Sequence, residues 1–226
     1  MQFTLGAPLG KPDEPLPEFV IRNKLENVLG DVEAGHPPFA NAITPPIKIL
    51  GNRAKAIGHI SFPVDIDGGV RKDLLVLDYY NDYFPSIALM IAAKNLNLAA
   101  EDILIKQGES VSLSNLAIKT DVASRMYPFF YRDSEGKSPF KVNSFYDVQE
   151  DKISPEVFKD KIVVICATAY GIGTSFNTPV DPTMSPAMVL ANIVASILNQ
   201  HFFIIPEWAI LAQIMIFFLI TLFIIF

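Results

Sequence analysis

The sequence predicts an α/β fold, a mixed sheet flanked by helices, followed by a C-terminal transmembrane helix. Three observations carry this. Short segments at 103–105, 111–113 and 116–118 have strand character, bounded by turn residues. The unbroken apolar run from Lys161 to Ala167 suits a central strand covered on both faces. The stretch from Ala209 to Phe226 carries no charge and only Gln213 and Thr221 as polar side chains. As a helix it would reach about 27 Å, or roughly 33 Å with Ile204 to Trp208 added, the thickness of a hydrocarbon core. It has no polar face, and Glu207 and Trp208 stand where a charge and an aromatic ring suit a lipid boundary. Because the run reaches Phe226 without a basic flank, the sequence reads as cut inside a larger protein whose effector lies beyond the membrane.

The elements follow in order. Pro8, Pro12, Pro15 and Pro17 mark residues 6–17 as a surface loop. Phe19, Ile21, Leu25, Val28 and Leu29 give 18–29 the pattern of an amphipathic helix closed by Gly30. Pro37, Pro38, Pro45 and Pro46 predict loop. Strand-like segments at 58–62 and 70–77, joined across Asp65, Asp67, Gly68 and Gly69, predict a hairpin or wide arch. A helix over 84–94 has Pro85 in its first turn, where a missing N–H costs nothing. A further strand is expected at 127–131, a charged loop at 133–139, and a one-turn helix at 154–158 capped by Ser154. A helix from Ser185 to Gln200 then leads to the membrane segment, with Pro206 as a kink between two nearly continuous helices.

Composition excludes several functions. A net charge of −6 argues against nucleic acid, which requires a basic face. Cys166 is the single cysteine, so no internal disulfide and no cysteine-rich zinc site can form. Met1 to Gly6 carry neither a basic region nor an apolar run long enough for a signal peptide, so if the domain is exported its signal would lie upstream or be supplied by the final helix. Residues 1–203 have the length of one ordinary domain.

Few residues suggest chemistry. Asp65 and Asp67 with Gly68 begin like a calcium loop but lack the further ligands and the glutamate that ends one, which favours a plain turn. His59 has no second histidine or cysteine nearby and reads as a structural hydrogen-bonder; His36 and His201 are without evident partners. Gly171 and Gly173 follow a strand as a phosphate-cradling turn does, yet no third glycine and no Lys-Ser/Thr follows, which favours tight packing. Ser175 lacks a nucleophile elbow and an activating histidine. Arg71, Arg125 and Arg132 could meet a carboxylate or make surface ion pairs. No cofactor or metal is expected.

The segment with Lys161, Ala167, Thr168, Ala169, Gly171, Gly173, Thr178 and Pro179, followed by Pro186, Val189, Ala191 and Asn192, resembles the closing motif of the second CHASE-type (CHASE2) sensor domain of bacterial signalling proteins. Gly58-His59, Asp65-x-Asp67-Gly68 and Val70-Arg71 resemble its central signature, Phe84 to Leu89 its Pro-Ser-Leu-Ala-Leu helix start, Tyr131-Arg132 its Asn-Tyr-Arg-Gly, and 144–148 a later turn. These motifs cover residues 47–226, and the family's first part is expected to be missing. Cys166, Thr174, Ala187 and Leu190 replace the family's usual Gly, Asp, Gly and His, which implies that any polar ligand held through that Asp and His is lost or changed here.

The resemblance implies a non-catalytic extracytoplasmic sensor over 1–203 and a membrane helix over 204–226. A signal, small molecule or protein, would pass through Pro206 to a cytoplasmic cyclase or kinase absent from this chain, with a homodimer as the working unit. It also implies ligand-binding candidates at His59, Asp65, Asp67, Arg71, Thr168 and Asn192. A membrane-anchored hydrolase and a decayed fragment are the alternatives.

Overall fold

The computed structural model describes residues 1–7, 10, 15–30, 33–132, 135, 138–167, 174–206 and 208–225. Along the chain run β1 (Gln2–Leu5), α1 (Glu18–Ile21), β2 (Asn27–Leu29), β3 (Ala40–Thr44), α2 (Lys48–Gly51), β4 (Asp73–Leu74), β5 (Val76–Tyr79), β6 (Asp82–Pro85) and α3 (Ile87–Asn95). Then come β7 (Ile103–Lys106), β8 (Ser110–Leu113), β9 (Leu116–Lys119), β10 (Arg125–Pro128), α4 (Phe145–Gln149), α5 (Pro186–Leu198), β11 (Phe202–Phe203) and α6 (Ala209–Ile225). Single turns of 3₁₀ helix lie at Ala100–Asp102 and Pro155–Phe158.

The architecture is mixed α/β. Strands β7, β8 and β9 form an antiparallel meander, and β2 adds to β7 in parallel. The β5–β6 hairpin turns through Tyr80 and Asn81, both at positive φ (53° and 68°), the geometry whose twist matches a two-residue hairpin. Asp78 favours that turn by accepting the Asn81 N–H at 2.7 Å. Single bridges, Phe39 to Asp78 and Leu25 to Tyr83, link the hairpin to the antiparallel β1–β3 pair on one side and the four-stranded sheet on the other. Strand β10 pairs with β4 and, on its other edge, with β11.

Every residue of β5 is buried, because apolar clusters cover both faces of the hairpin. Val76 faces the larger cluster, where α3 and α5 pack over Ile103, Ile105, Val111 and Ile118. Leu77 and Tyr79 face the smaller one with Phe3, Phe19, Val20 and Phe84. Alternation along β7 to β9 places Leu104, Lys106, Ala117 and Lys119 away from the core.

The strands expected at 103–105, 111–113 and 116–118, the Ser154-capped turn and the helix expected from Ser185 are present; the strands pair as a meander, and Ser185 caps the helix by accepting Met188 N–H. Other expectations are corrected. The helix expected over 18–29 ends at Ile21. Asn23 draws the chain away by donating to Phe19 O and accepting Ile57 N–H, and 27–29 join β7 as a strand. Tertiary pairing here outweighs helical periodicity. The proline-flanked segment 40–44 is a strand, and so is 2–5, which carried no sequence expectation. The hairpin expected across Asp65–Gly69 is realised one segment later, between β5 and β6. Pro85 closes β6, and Ser86 caps the helix by accepting Leu89 N–H at 3.1 Å. The strand expected at 127–131 begins and ends earlier, at 125–128.

Among the described residues the run 161–167 forms no ladder; Val163 and Ile165 are exposed, and Val164 packs on the larger cluster. Apolar composition makes a strand only where a partner edge is free.

The expected continuity of the last two helices also fails. Helix α5 stops at Leu198, Gln200 takes a left-handed conformation (φ 56°), and Phe202–Phe203 run as a strand against Tyr127 and Pro128. Helix α6 begins at Ala209 rather than Ile204, and Pro206 lies ahead of it, its carbonyl accepting Ala209 N–H at 3.0 Å. Pro206 therefore kinks no helix. Among the described residues no helix is long and apolar enough to cross a membrane; α6 has 17 residues.

Candidate functional site

Asp65, Asp67 and Arg71 come together in one turn. Gly68 N–H donates to Asp65 O and Asp65 N–H to Gly69 O, while Asp67 Oδ1 accepts Gly69 N–H at 3.0 Å. Arg71 then bridges both carboxylates, with Nη1 3.1 Å from Asp65 and Nη2 2.5 Å from Asp67, and Lys72 Nζ reaches Asp65 at 3.2 Å. The Arg71 guanidinium holds both carboxyls below the usual carboxylate range, and they in turn raise Arg71. Two cations already answer two anions, so this turn is not arranged for a metal ion; among the described residues no group of carboxylates, histidines and cysteines could hold one.

The turn abuts the chain leading into α5. Val70 N–H donates to Asn177 O at 2.7 Å, and Phe62 meets Phe176 edge-on at 5.3 Å. Phe176 and Met184 bridge to close a loop, inside which Thr178 accepts Asp181 N–H through Oγ1. Two of the motifs that are more than a hundred residues apart in sequence thus share one junction. Lys72 also lies over the Tyr127 ring at 5.4 Å, which connects the junction to β10 and, through its pairing, to β11.

The remaining candidates lie elsewhere. His59 is buried, its backbone joining Pro85 O and Ile87 N–H; Nδ1 accepts Ser61 N–H at 3.3 Å, and Nε2 has no hydrogen-bond partner among the described residues. Burial, with a smaller push from the N-terminal amino group, lowers its pKa to about 3, so the ring stays neutral. Asn192 is buried and saturated: Oδ1 accepts Tyr131 N–H at 2.8 Å, and Nδ2 donates to Met188 O and approaches Met184 Sδ. It fastens α5 to the segment after β10. Ser175 is exposed. Thr168, Gly171, Gly173 and Glu207 lie outside the described residues.

Sequence reasoning missed a polar cluster beneath the hairpin. His36, expected to lack a partner, brings Nε2 to 3.1 Å from Asp78 Oδ2, close enough for an ion pair though not aligned as a hydrogen bond, and stacks on Phe39 at 4.5 Å. Burial raises the Asp78 carboxyl. Asp73 is also buried; it accepts from Ser86 Oγ at 3.4 Å, and burial pushes it up to about 7. His201, likewise expected to be alone, meets Tyr131 Oη at 3.0 Å through Nδ1. Nothing in local spacing marks these pairs, since each joins distant segments.

A model of the CHASE2 domain matches residues 10–225. The chain belongs to that family, the extracytoplasmic sensory domains of membrane signalling proteins, which are sensory rather than catalytic. The match begins well upstream of residue 47, where the recognisable motifs start. No curated protein and no solved structure matches the chain.

Proposed function

We propose that this chain is the sensing unit of a membrane-bound signal-transduction protein, with residues 1–203 extracytoplasmic and 204–226 in the bilayer. Helix α6 carries the proposal: apolar on every side, it buries none of its residues against the domain. On the insertion scale its twelve Ile, Leu and Phe residues contribute roughly −4 to −7 kcal/mol towards lipid. Thr221 satisfies its hydroxyl within the helix by donating to Phe217 O at 2.8 Å, as a lipid environment requires. The helix is about 25 Å long, and the exposed Ile204, Ile205 and Trp208 lie just ahead of it.

A small-molecule or protein signal that repacks the junction around Asp65–Arg71 would shift α5. The shift reaches the membrane through the β10–β11 pair, with Pro206 in the short linker, and from there a cytoplasmic cyclase or kinase within a homodimer. Family membership supports the sensory role, and the two-sided core around β5 favours a folded module over a decayed fragment.

Alkaline extraction of membranes from expressing cells tests the anchor. The full chain stays in the pellet and a chain ending at residue 203 is released; release of both would refute the proposal.

A further inference from the structure

Five rings gather where the domain hands the chain to α6. Phe129 lies 5.0 Å from Tyr131 and 5.8 Å from Phe203, and Tyr131 lies 6.0 Å from His201 and 6.2 Å from Phe140. The backbone fixes them there. Phe129 N–H donates to His201 O and Ser196 Oγ, and Tyr127 and Pro128 pair with Phe203 and Phe202.

This cluster is not a miniature core. Phe203 is 59 % exposed and Phe129 40 %, and exposure continues through Ile204, Ile205 and Trp208 to the start of α6. Six residue steps separate Phe203 from Ala209, so the chain spans at most about 21 Å between the cluster and the first turn of the helix. With α6 inserted, Phe203 cannot stand off the bilayer by more than that. A ring with a polar edge, here Tyr131 with its hydroxyl, is the kind of side chain that favours the headgroup layer.

We infer that the exposed aromatic face built from β10, β11 and the segment after β10, centred on Phe129 and Phe203, docks onto the lipid headgroup layer, so that the domain lies against the membrane instead of hanging from a free tether. The inference rests on the anchor reading. It makes β11 part of the membrane contact, so movement of α5 acts on a strand already held at the lipid surface.

Trp208 is the single tryptophan and allows the two readings to be separated. The full chain is reconstituted in phosphatidylcholine vesicles whose acyl chains carry bromine at a shallow position. Quenching of Trp208 in the wild-type chain reports the anchor. Quenching in F129W/W208F and F203W/W208F chains reports docking, with far-UV circular dichroism checking that each is folded. Docking is supported when Trp208 and at least one introduced tryptophan lose emission in brominated vesicles and are shielded from acrylamide. If Trp208 is quenched while both introduced tryptophans keep their emission and stay open to acrylamide, the anchor stands and docking is overturned. Shielding that follows protein concentration and not the lipid label assigns the face to a second copy, which also overturns docking. No quenching in any chain overturns both.

Discussion

Arg71 binds two carboxylates in an exposed turn, and its effect is electrostatic and local. R71Q raises the Asp67 carboxyl towards the ordinary range, the Gly69 N–H still holding it somewhat below, readable by side-chain NMR titration, with little change in stability because exposed ion pairs contribute little. Asn192 is the opposite case. N192A leaves the Tyr131 N–H without its acceptor and is expected to cost about 1–3 kcal/mol in chemical unfolding in detergent. Asp73 and His59 impose opposing pH dependences. Asp73 is raised from 3.8 to about 7, so its contribution to stability is present below 3.8 and lost as pH rises through 7. His59 is lowered from 6.5 to about 3, so the unfolded chain binds the proton more tightly, and its contribution is present above 6.5 and lost as pH falls towards 3. The D73N chain should therefore gain stability with pH more steeply than wild type between 3.8 and 6.5. The difference accumulates to the order of a few kcal/mol at about 1.4 kcal/mol per pKa unit. An unchanged slope in urea titrations across that range would refute the burial of Asp73 as an acid.

Gly58 shows how an element depends on one missing methyl group. A Cβ there would come within 2.5 Å of the Ile87 backbone nitrogen, where the segment 57–60 crosses the start of α3. G58A is expected to cost at least about 1–3 kcal/mol, read as a lowered unfolding midpoint. The glycine of the Gly-His motif is thus explained by close packing. Elements whose pattern and end signals agree were legible in the sequence: the β7–β9 meander, with alternating Ile, Val and Leu, and α5, with Ser185 and Pro186 at its start. Elements decided by distant partners were not. Asn23 ends α1 through a bond to Ile57, thirty-four residues on, and the apolar run at 161–167 finds no edge among the described residues. The site followed the same rule. The Asp65–Arg71 turn was readable because its partners are neighbours, whereas His36–Asp78 and Asn192–Tyr131 are products of the fold.

Across the whole molecule, helix α5 and the β10–β11 pair link the motif junction to the start of α6, which the proposed anchor would carry on into lipid. Ser196 is the internal tie of this link, donating to His201 O and accepting Phe129 N–H at 3.0 Å. S196A should speed hydrogen exchange of the Phe129 and Phe203 amides while leaving the β7–β9 meander protected. The proposal places the domain outside the membrane, and Cys166, the only cysteine and exposed, reports on that side. Labelling with a membrane-impermeant maleimide in spheroplasts expressing the full chain should modify Cys166 before permeabilisation. Modification only after the membrane is opened would place the domain in the cytoplasm and contradict the extracytoplasmic sensor.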